Sequence, residues 1–302
     1  MIKSITITNH LGETITLELK HPEKTGLVVV SIDGLGPPSA TINTTDYSTR
    51  DGSLYNSARA SSRNIVLNLK LLENPSIEDS RHLTYKYFPI KKKIKFTITT
   101  DNRVCYTYGY VESNSPTIFT NSEVVQISIV CPDAYFYKAG ELSGVEFSGV
   151  QPWFEFPWSN ESLTEPKLIM SERRQVIIDN VYYNSDAEPG VLITLHALGP
   201  IGDLTIRNLT NQQTMQIDVS KIEELTGKAI GAGDDILISS IPGAKYVRLL
   251  RTGKYYNVLN SLVKRSKWIT LSKGVNVFLY QTSEYLENLQ VTTSYRDIYE
   301  GA

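Results

Sequence analysis

The chain has 302 residues, of which 41% are hydrophobic and 21% charged, and its formal net charge is −2. This length suggests two domains of ordinary size. The composition excludes a disordered or collagen-like chain and gives no support to a membrane protein. Among the aromatic residues, 18 Tyr stand against 8 Phe and 3 Trp, and tyrosine favours half-buried strands and interfaces over sealed cores.

The first part of the sequence predicts antiparallel strands. Ile5 and Ile7, then Ile15 to Leu19, alternate with polar residues around a Gly-containing turn, which is typical of a hairpin. Leu27 to Ile32 is a continuous apolar run and predicts a strand covered on both faces. Gly34 to Arg63 is rich in Gly, Ser, Thr, Asn and Pro and has little apolar periodicity. We interpret it as a long, structureless, partner-facing loop.

One helix is predicted after the next strand, which runs from Ile65 to Leu71. Ser76 is its expected N-cap, because Asp79 stands three residues later as in a capping box, and Pro89 ends the helix. Three further strands are predicted at 94–98, 104–110 and 125–131. We place the domain boundary after Asp133.

The part beyond Asp133 predicts short strands separated by Gly, Pro or Asn, at 175–181, 191–197, 203–209, 215–219, 235–239, 246–250, 275–280 and 289–294. This pattern is typical of a β-sandwich or jelly roll. Residues 256–263 form the only candidate helix there. The predicted protein is mainly β, with a β-rich domain containing one helix at 1–133 and a β-sandwich at 134–302.

Recognisable catalytic, metal-binding and cofactor motifs are missing from the sequence. The four histidines are isolated from one another and from both cysteines, so no metal-ligand spacing occurs. Cys105 and Cys131 fall in strand-like runs and are predicted to be buried free thiols. No nucleophile elbow and no phosphate-binding glycine pattern is present. We therefore predict no enzyme activity, no cofactor and no metal.

The charge pattern gives no sign of a nucleic-acid or membrane partner. The only dense basic cluster, Lys91 to Lys93 with Lys95, is interpreted as a solvated turn entering a strand. The first residues lack a signal-peptide pattern, and no stretch is long and apolar enough for a membrane span. We expect synthesis in a cytoplasm, no specific nucleic acid and no membrane insertion.

An aromatic segment leaves several interpretations open. Residues 151–158 read QPWFEFPW, and Glu146 with Glu155 could supply the paired carboxylates of a glycosidase. Trp153 and Trp158, together with the later Trp268, could instead form a sugar- or protein-binding patch. Dense aromatic residues between prolines also suit plain packing.

Several segments, taken in order, resemble the distal tail protein family of long-tailed bacteriophages. They are the short N-terminal strands, the loop DGLGPP at 33–38, the stretch RDGS at 50–53 leading to Arg59 and Arg63, the helix after Pro75, the boundary sequence at 131–137 and the closing sequence at 295–301. The ordered combination carries the likeness, and no single motif does so alone.

The resemblance implies a structural virion protein of the tail tip or baseplate, assembled in the cytoplasm of the bacterial host. The first domain would form a homo-hexameric ring that continues the tail tube, and the second would be a galectin-like sandwich outside it. The implied partners are the tail tube protein, the tail-associated lysin or fibre hub, and receptor-binding or other baseplate proteins. The alternative is a carbohydrate-binding adhesin whose sandwich binds a cell-wall glycan.

A ring needs an interface in which one surface of a subunit meets a different surface of its neighbour. Long loops and strand edges supply such surfaces. We therefore predict subunit or tail-tube contacts at Gly34, Gly36, Asp51, Arg59 and Arg63. The three charged residues, Asp51, Arg59 and Arg63, are expected to act across subunits. Local contacts within one subunit are the alternative. Tyr106, Tyr108 and Tyr110 share one face of a predicted strand and are interpreted as further interface.

Overall fold

The computed structural model describes residues 1–118, 120, 122–146, 148–152, 171–175 and 178–302, and gives only the backbone for 146, 148–152 and 171–175. The chain forms two compact units: unit 1 is Met1–Gly140 with Ile298–Ala302, and unit 2 is Glu141–Asp297. The predicted domain boundary lies after Asp133, whereas unit 1 runs on to Gly140 and takes in the segment Ile298–Ala302.

Unit 1 contains one large antiparallel sheet, one helix and one separate hairpin. Its elements are β1 (Ile2–Thr8), β2 (Thr14–Glu18), a 3-10 turn (Pro22–Lys24), β3 (Leu27–Asp33), β4 (Ala40–Asp46), β5 (Ser53–Ala60), β6 (Arg63–Leu71), α1 (Ile77–Tyr87), β7 (Lys93–Thr100), β8 (Val104–Pro116), β9 (Val124–Cys131) and β10 (Phe136–Lys138). The order in the large sheet is β2-β1-β7-β8-β9-β6-β3, and β10 pairs both with β8 and with the short strand Ile298–Tyr299.

The core of unit 1 lies on one face of the large sheet. Alternate residues of β6 are buried from Ile65 to Leu71, as are alternate residues of β9 from Val125 to Cys131, which is the period of a strand with one face on a core. Both cysteines are free and buried there, as predicted, and burial raises the pKa of each thiol to about 11. The predicted helix is also confirmed, because the Ser76 side chain accepts a hydrogen bond from the Asp79 amide at its N-terminus.

Two predictions for the residues between 27 and 63 are wrong. β3 is an end strand that pairs only with β6, and it is not covered on both faces, because Val30 is 61% exposed. The predicted structureless loop contains the hairpin β4–β5. Its strands use β-favouring Thr, Ile and Tyr, but they lack an apolar alternation facing their own core, which is the pattern that reveals most strands in a sequence.

The described part of unit 2 contains two larger sheets and a strand pair. Its elements are β11 (Ser143–Glu146), β12 (Ser148–Pro152), β13 (Ser171–Gln175), β14 (Ile178–Tyr183), β15 (Leu192–Ala197), β16 (Leu204–Asn208), β17 (Gln213–Ile217), α2 (Val219–Thr226), β18 (Asp234–Ser239), β19 (Tyr246–Arg251), β20 (Lys254–Asn257), β21 (Gly274–Thr282) and β22 (Leu289–Tyr295), with 3-10 turns at Leu259–Ser261 and Leu286–Asn288.

The two larger sheets of unit 2 share one core. Their orders are β11-β22-β15-β18-β19-β20 and β14-β21-β16-β17, and β12 pairs with β13. Inward residues of the first sheet, such as Leu195 and Ile236, belong to the same buried cluster as Ile206 and Phe278 of the second. Two antiparallel sheets on a common core form a β-sandwich. The predicted mainly β fold class is therefore confirmed.

The helix prediction for unit 2 is wrong. Residues 256–263 hold the end of β20 and a 3-10 turn, whereas the helix is α2, capped by Asp218 at its start and by Gly227 at a left-handed φ of 74°. α2 buries only Ile222. One buried residue in a helix of eight gives too little apolar periodicity for a prediction.

A buried ion pair fixes the loop between α2 and β18. Arg251 donates to both carboxylate oxygens of Asp234, at 2.9 Å from Nε to Oδ1 and 2.6 Å from Nη2 to Oδ2, and also to the Lys228 and Ala229 carbonyls. The two side chains are only 8% and 11% exposed. Burial acts to raise the pKa of Asp234, but the hydrogen bonds from Arg251 and the Gly231 amide outweigh it and lower the pKa.

Replacing Asp234 by Asn is expected to lower the free energy of unfolding of unit 2 by about 3 kcal/mol at pH 7, because Arg251 loses a charged, bidentate partner. A lowered pKa stabilises the fold above the unfolded value of about 3.9 and ceases to do so as the pH falls through the folded value. The difference in the free energy of unfolding between wild type and Asp234→Asn should therefore become smaller as the pH falls from 7 to 3.

Urea unfolding followed by Trp fluorescence checks this, since Trp268 belongs to unit 2. Glu224→Gln, which removes an exposed carboxylate from α2, is the matched control and should change stability by less than about 0.5 kcal/mol. An equal difference in the free energy of unfolding at pH 7 and pH 3 would contradict a stabilising role for the charged Asp234–Arg251 pair.

Candidate subunit interface

The hairpin β4–β5, here called the arm, projects from unit 1 without packing against it. Every residue of β4 is exposed, and so is every residue of β5 except the half-buried Ala60. β4 and β5 pair only with each other, and the arm is inserted between β3 and β6, which pair with each other in the large sheet. A two-stranded hairpin alone is marginally stable at best in water. The arm therefore has the character of a segment completed by contacts outside its own subunit.

The two faces of the arm differ in polarity. Directly paired residues share a face, and the pairings Ala40 with Ala60, Ile42 with Ala58 and Thr44 with Tyr55 give one largely apolar face, here called the apolar face. Ile42 is 62% exposed and Tyr55 is 61% exposed.

The opposite face carries mostly polar residues that pair among themselves. Thr41 pairs with Arg59 and Asn43 with Ser57, and the side-chain Nδ2 of Asn43 donates to the Ser57 hydroxyl at 3.0 Å. Leu54 is the one large apolar residue there, opposite Thr45. The polar side chains can remain in water at little cost, whereas the apolar face gains from being covered.

Arg63 holds the root of the arm. This side chain is 4% exposed, and all five of its N–H donors bond to carbonyl oxygens of the same chain: Nε and Nη2 to Ala134 at 3.1 and 2.8 Å, Nη1 to Gly34 and Gly36 at 2.6 Å each, and Nη2 to Glu300 at 2.6 Å. The guanidinium also lies 4.3 Å from the centre of the Phe136 ring. Burial lowers the pKa of Arg63, but arginine keeps its proton.

These contacts decide between the two interpretations of Arg63 in favour of local contacts. With every donor used inside the chain, Arg63 has none left for a neighbouring subunit. Gly34 and Gly36 belong to the same arrangement through their carbonyls. Gly34 must be glycine, because its φ is +84° and a Cβ would lie 2.0 Å from the Asn64 carbonyl oxygen.

Asp51 and Arg59, by contrast, lie on the arm and are exposed. Asp51 is in the turn between β4 and β5, where the Tyr47 amide donates to the Gly52 carbonyl and the Arg50 guanidinium stacks 4.0 Å from the Tyr47 ring centre. Arg59 lies on the polar face of the arm. Both positions suit the predicted cross-subunit role, which stays a prediction.

Ile42 and Tyr55 were not predicted as interface residues. Their only sequence signal is a pair of Thr-, Ile- and Tyr-containing runs on either side of a turn with Asp51-Gly52, which is a hairpin pattern. The predicted face of tyrosines on β8 does exist, and Tyr108 and Tyr110 are 41% and 45% exposed. Tyr106 is buried and contacts the Tyr137 ring of the adjacent β10.

The basic cluster lies beside these tyrosines. Lys91, with a φ of 65°, is in the turn before β7, and β7 begins at Lys93. The ammonium groups of Lys93 and Lys95 lie 4.2 and 4.4 Å from the ring centres of Tyr108 and Tyr106. The positions of Lys91 in the turn and Lys93 at the start of β7 agree with the predicted turn entering a strand.

The aromatic patch and the paired carboxylates are only partly within the described structure. Trp153, Trp158 and Glu155 lie outside the described residues, and the side chain of Glu146 does also. Trp268 is half-buried against the core of unit 2, and the Lys245 ammonium lies 5.5 Å from its ring centre. Within the described part of the chain, Trp268 packs against the core of unit 2, and its role in a ligand or partner patch stays a prediction.

The described residues hold no candidate metal site and no helix that could span a membrane. No group of three or more His, Cys, Asp or Glu among them could hold a metal ion. None of the helices described in the structure is long and apolar enough to cross a membrane.

The whole chain is similar in fold to a phage protein. It matches the crystal structure of the SPP1 Dit protein, described as a hub of the adsorption apparatus in phages that infect Gram-positive bacteria, with a TM-score of 0.62 and 11% identity over 97% of this chain and 98% of that one. This similarity confirms, at the level of fold, the resemblance seen in the sequence.

Two further structures show weaker similarity along the full length. They are chains of the phage P2 baseplate in its activated conformation, one with calcium (TM-score 0.48, 12% identity, 100% of both chains) and one with strontium (TM-score 0.45, 11% identity, 99% of both). Similarity at these scores adds nothing to the fold assignment. No protein-family model and no curated protein matches the sequence.

Proposed function

We propose that this chain is a structural hub of a bacteriophage tail tip and that copies of it close into a ring through unit 1. The arm carries the proposal, because it is a pre-formed hairpin with an exposed apolar face and no packing partner among the described residues of unit 1. The fold shared with the SPP1 hub protein supports it. The number of subunits in the ring, six, is taken from the family resemblance of the sequence.

The geometry of the arm suits a closed ring. An arm that leaves one side of unit 1 and docks on a different surface of the next copy makes a heterologous contact, and such contacts generate rings when the rotation closes. Either strand of the arm also offers a free edge, and a free strand edge can pair with a strand of another chain.

The proposed partners and location come from the family resemblance stated in the sequence analysis. One side of it would receive the tail tube protein, and the other would receive the tail-associated lysin or fibre hub, while unit 2 would hold receptor-binding or other baseplate proteins at the tail tip. The function is assembly, with no catalytic step and no cofactor. A glycan ligand for unit 2 stays a prediction, tested by titrating cell-wall polymers against the protein.

Electron microscopy of the purified chain tests the proposal. Class averages showing rings of six subunits support it, and rings of another number would replace six while retaining the arm-mediated ring. Particles of single-chain size at every concentration would overturn it.

A further inference from the structure

The segment Glu300–Ala302, here called the return segment, is joined to the root of the arm. The Glu300 carbonyl accepts from Arg63 at 2.6 Å, and the Ala302 amide donates to the Leu35 carbonyl at 3.0 Å. Between them, Gly301 approaches so closely that a Cβ would lie 3.2 Å from the Leu35 oxygen. The return segment is more than two hundred residues away in sequence, yet it contacts the residues that lead into the arm.

Both segments that connect the arm to the large sheet meet at Arg63: the outgoing leg follows β3, and the incoming leg leads into β6. The outgoing leg carries the carbonyls of Gly34 and Gly36, which both bond to Nη1 of Arg63. The incoming leg ends at Arg63, the first residue of β6. A single further backbone bond, from the Ser61 amide to the Ser39 carbonyl, joins the legs at 2.8 Å.

The buried guanidinium of Arg63 is hydrogen-bonded to backbone carbonyl groups and not to a carboxylate. A buried cation is tolerated only if its donors are satisfied, and here the satisfaction depends on three separate segments arriving together: the arm root, Ala134 before β10 and the return segment. Removing one segment leaves a buried donor without its acceptor, so each segment stabilises the position of the other two.

We propose that Arg63 and the return segment form a clasp that fixes the direction in which the arm leaves unit 1. The proposal rests on the proposed function, because the benefit of a fixed direction is to present the apolar face to a second copy. The arm has no buried contacts of its own that could orient it, and ordering it in advance reduces the entropy cost of association.

Two spin labels in unit 1 test the clasp directly. Ser57→Cys lies on the arm and Thr14→Cys on β2, and both positions are exposed, whereas the native Cys105 and Cys131 are buried and should not react. The distance distribution between the labels is measured on dilute, monomeric protein. We expect one narrow distribution in the otherwise unchanged chain.

Two variants open the clasp from opposite sides. Arg63→Lys keeps the charge but has three donors on one atom, which cannot reproduce the planar fork, and a chain ending at Tyr299 removes the return segment while keeping the strand Ile298–Tyr299 that pairs with β10. Each should broaden the distance distribution at least twofold and weaken self-association at least tenfold. Arg207→Lys, at an exposed position of β16 in unit 2, is the matched control and should change neither.

The outcomes separate the clasp from the ring. A broad distribution in the unchanged chain, or the same narrow distribution in Arg63→Lys folded as judged by circular dichroism, overturns the clasp. If the truncated chain fails to fold, Arg63→Lys decides alone. Absence of self-association in the unchanged chain overturns the proposed function, while the distance distributions still decide the clasp.

Discussion

Replacing Ile42 by Asp is expected to weaken self-association at least about 100-fold, or roughly 2.8 kcal/mol, while the free energy of unfolding of unit 1 changes by less than about 0.5 kcal/mol. Ile42 is 62% exposed and lies at the centre of the apolar face, opposite Ala58. Burying an isoleucine side chain contributes about 1.5 to 3 kcal/mol, and an unpaired carboxylate in the same contact adds a desolvation penalty.

Sedimentation equilibrium on both proteins measures the effect. Thr41→Asp is the matched control, because it places the same charge one residue away on the polar face of the arm and should weaken association far less. Equal losses in the two variants would mean that charge on the arm matters and the apolar face does not. Unchanged association of Ile42→Asp would remove the arm from the interface.

Replacing Arg63 by Met is expected to lower the free energy of unfolding of unit 1 by about 5 kcal/mol, which is large for one residue and points to the loss of a buried hydrogen-bond network. Met fills a similar volume but leaves the carbonyl oxygens of Ala134, Gly34, Gly36 and Glu300 without the donors they have now.

Tryptophan fluorescence would not report this loss, since residues 153, 158 and 268 are all outside unit 1. Hydrogen exchange of β6 and β9, read by mass spectrometry in increasing urea, follows unit 1 alone. The exposed arm variant Arg59→Met should be within about 0.5 kcal/mol of wild type. A similar small loss in Arg63→Met would show that the carbonyl oxygens find other donors.

The elements predicted well are those whose pattern follows from burial against the chain's own core. β6 and β9 alternate between buried and more exposed positions, so their apolar residues recur with the period of a strand. The helix α1 was predicted from its cap and its terminating proline, which are local features. The sequence pattern does not predict the arm as a hairpin, because the described residues of unit 1 offer its apolar face no core to pack against.

The site residues divide in the same way. Asp51 and Arg59 were found because a polar stretch with charges suggested a partner-facing loop, and both are exposed on the arm. Arg63 was found for the same reason but is buried. The carbonyls that satisfy it come from segments distant in sequence, and backbone acceptors leave no mark in residue identity.

The mass of the purified chain in solution tests the central claim most directly. A ring of six predicts, over a range of concentrations, a species of six times 33.9 kDa that dissociates in the Ile42→Asp variant. A species of 33.9 kDa at every accessible concentration would contradict the account.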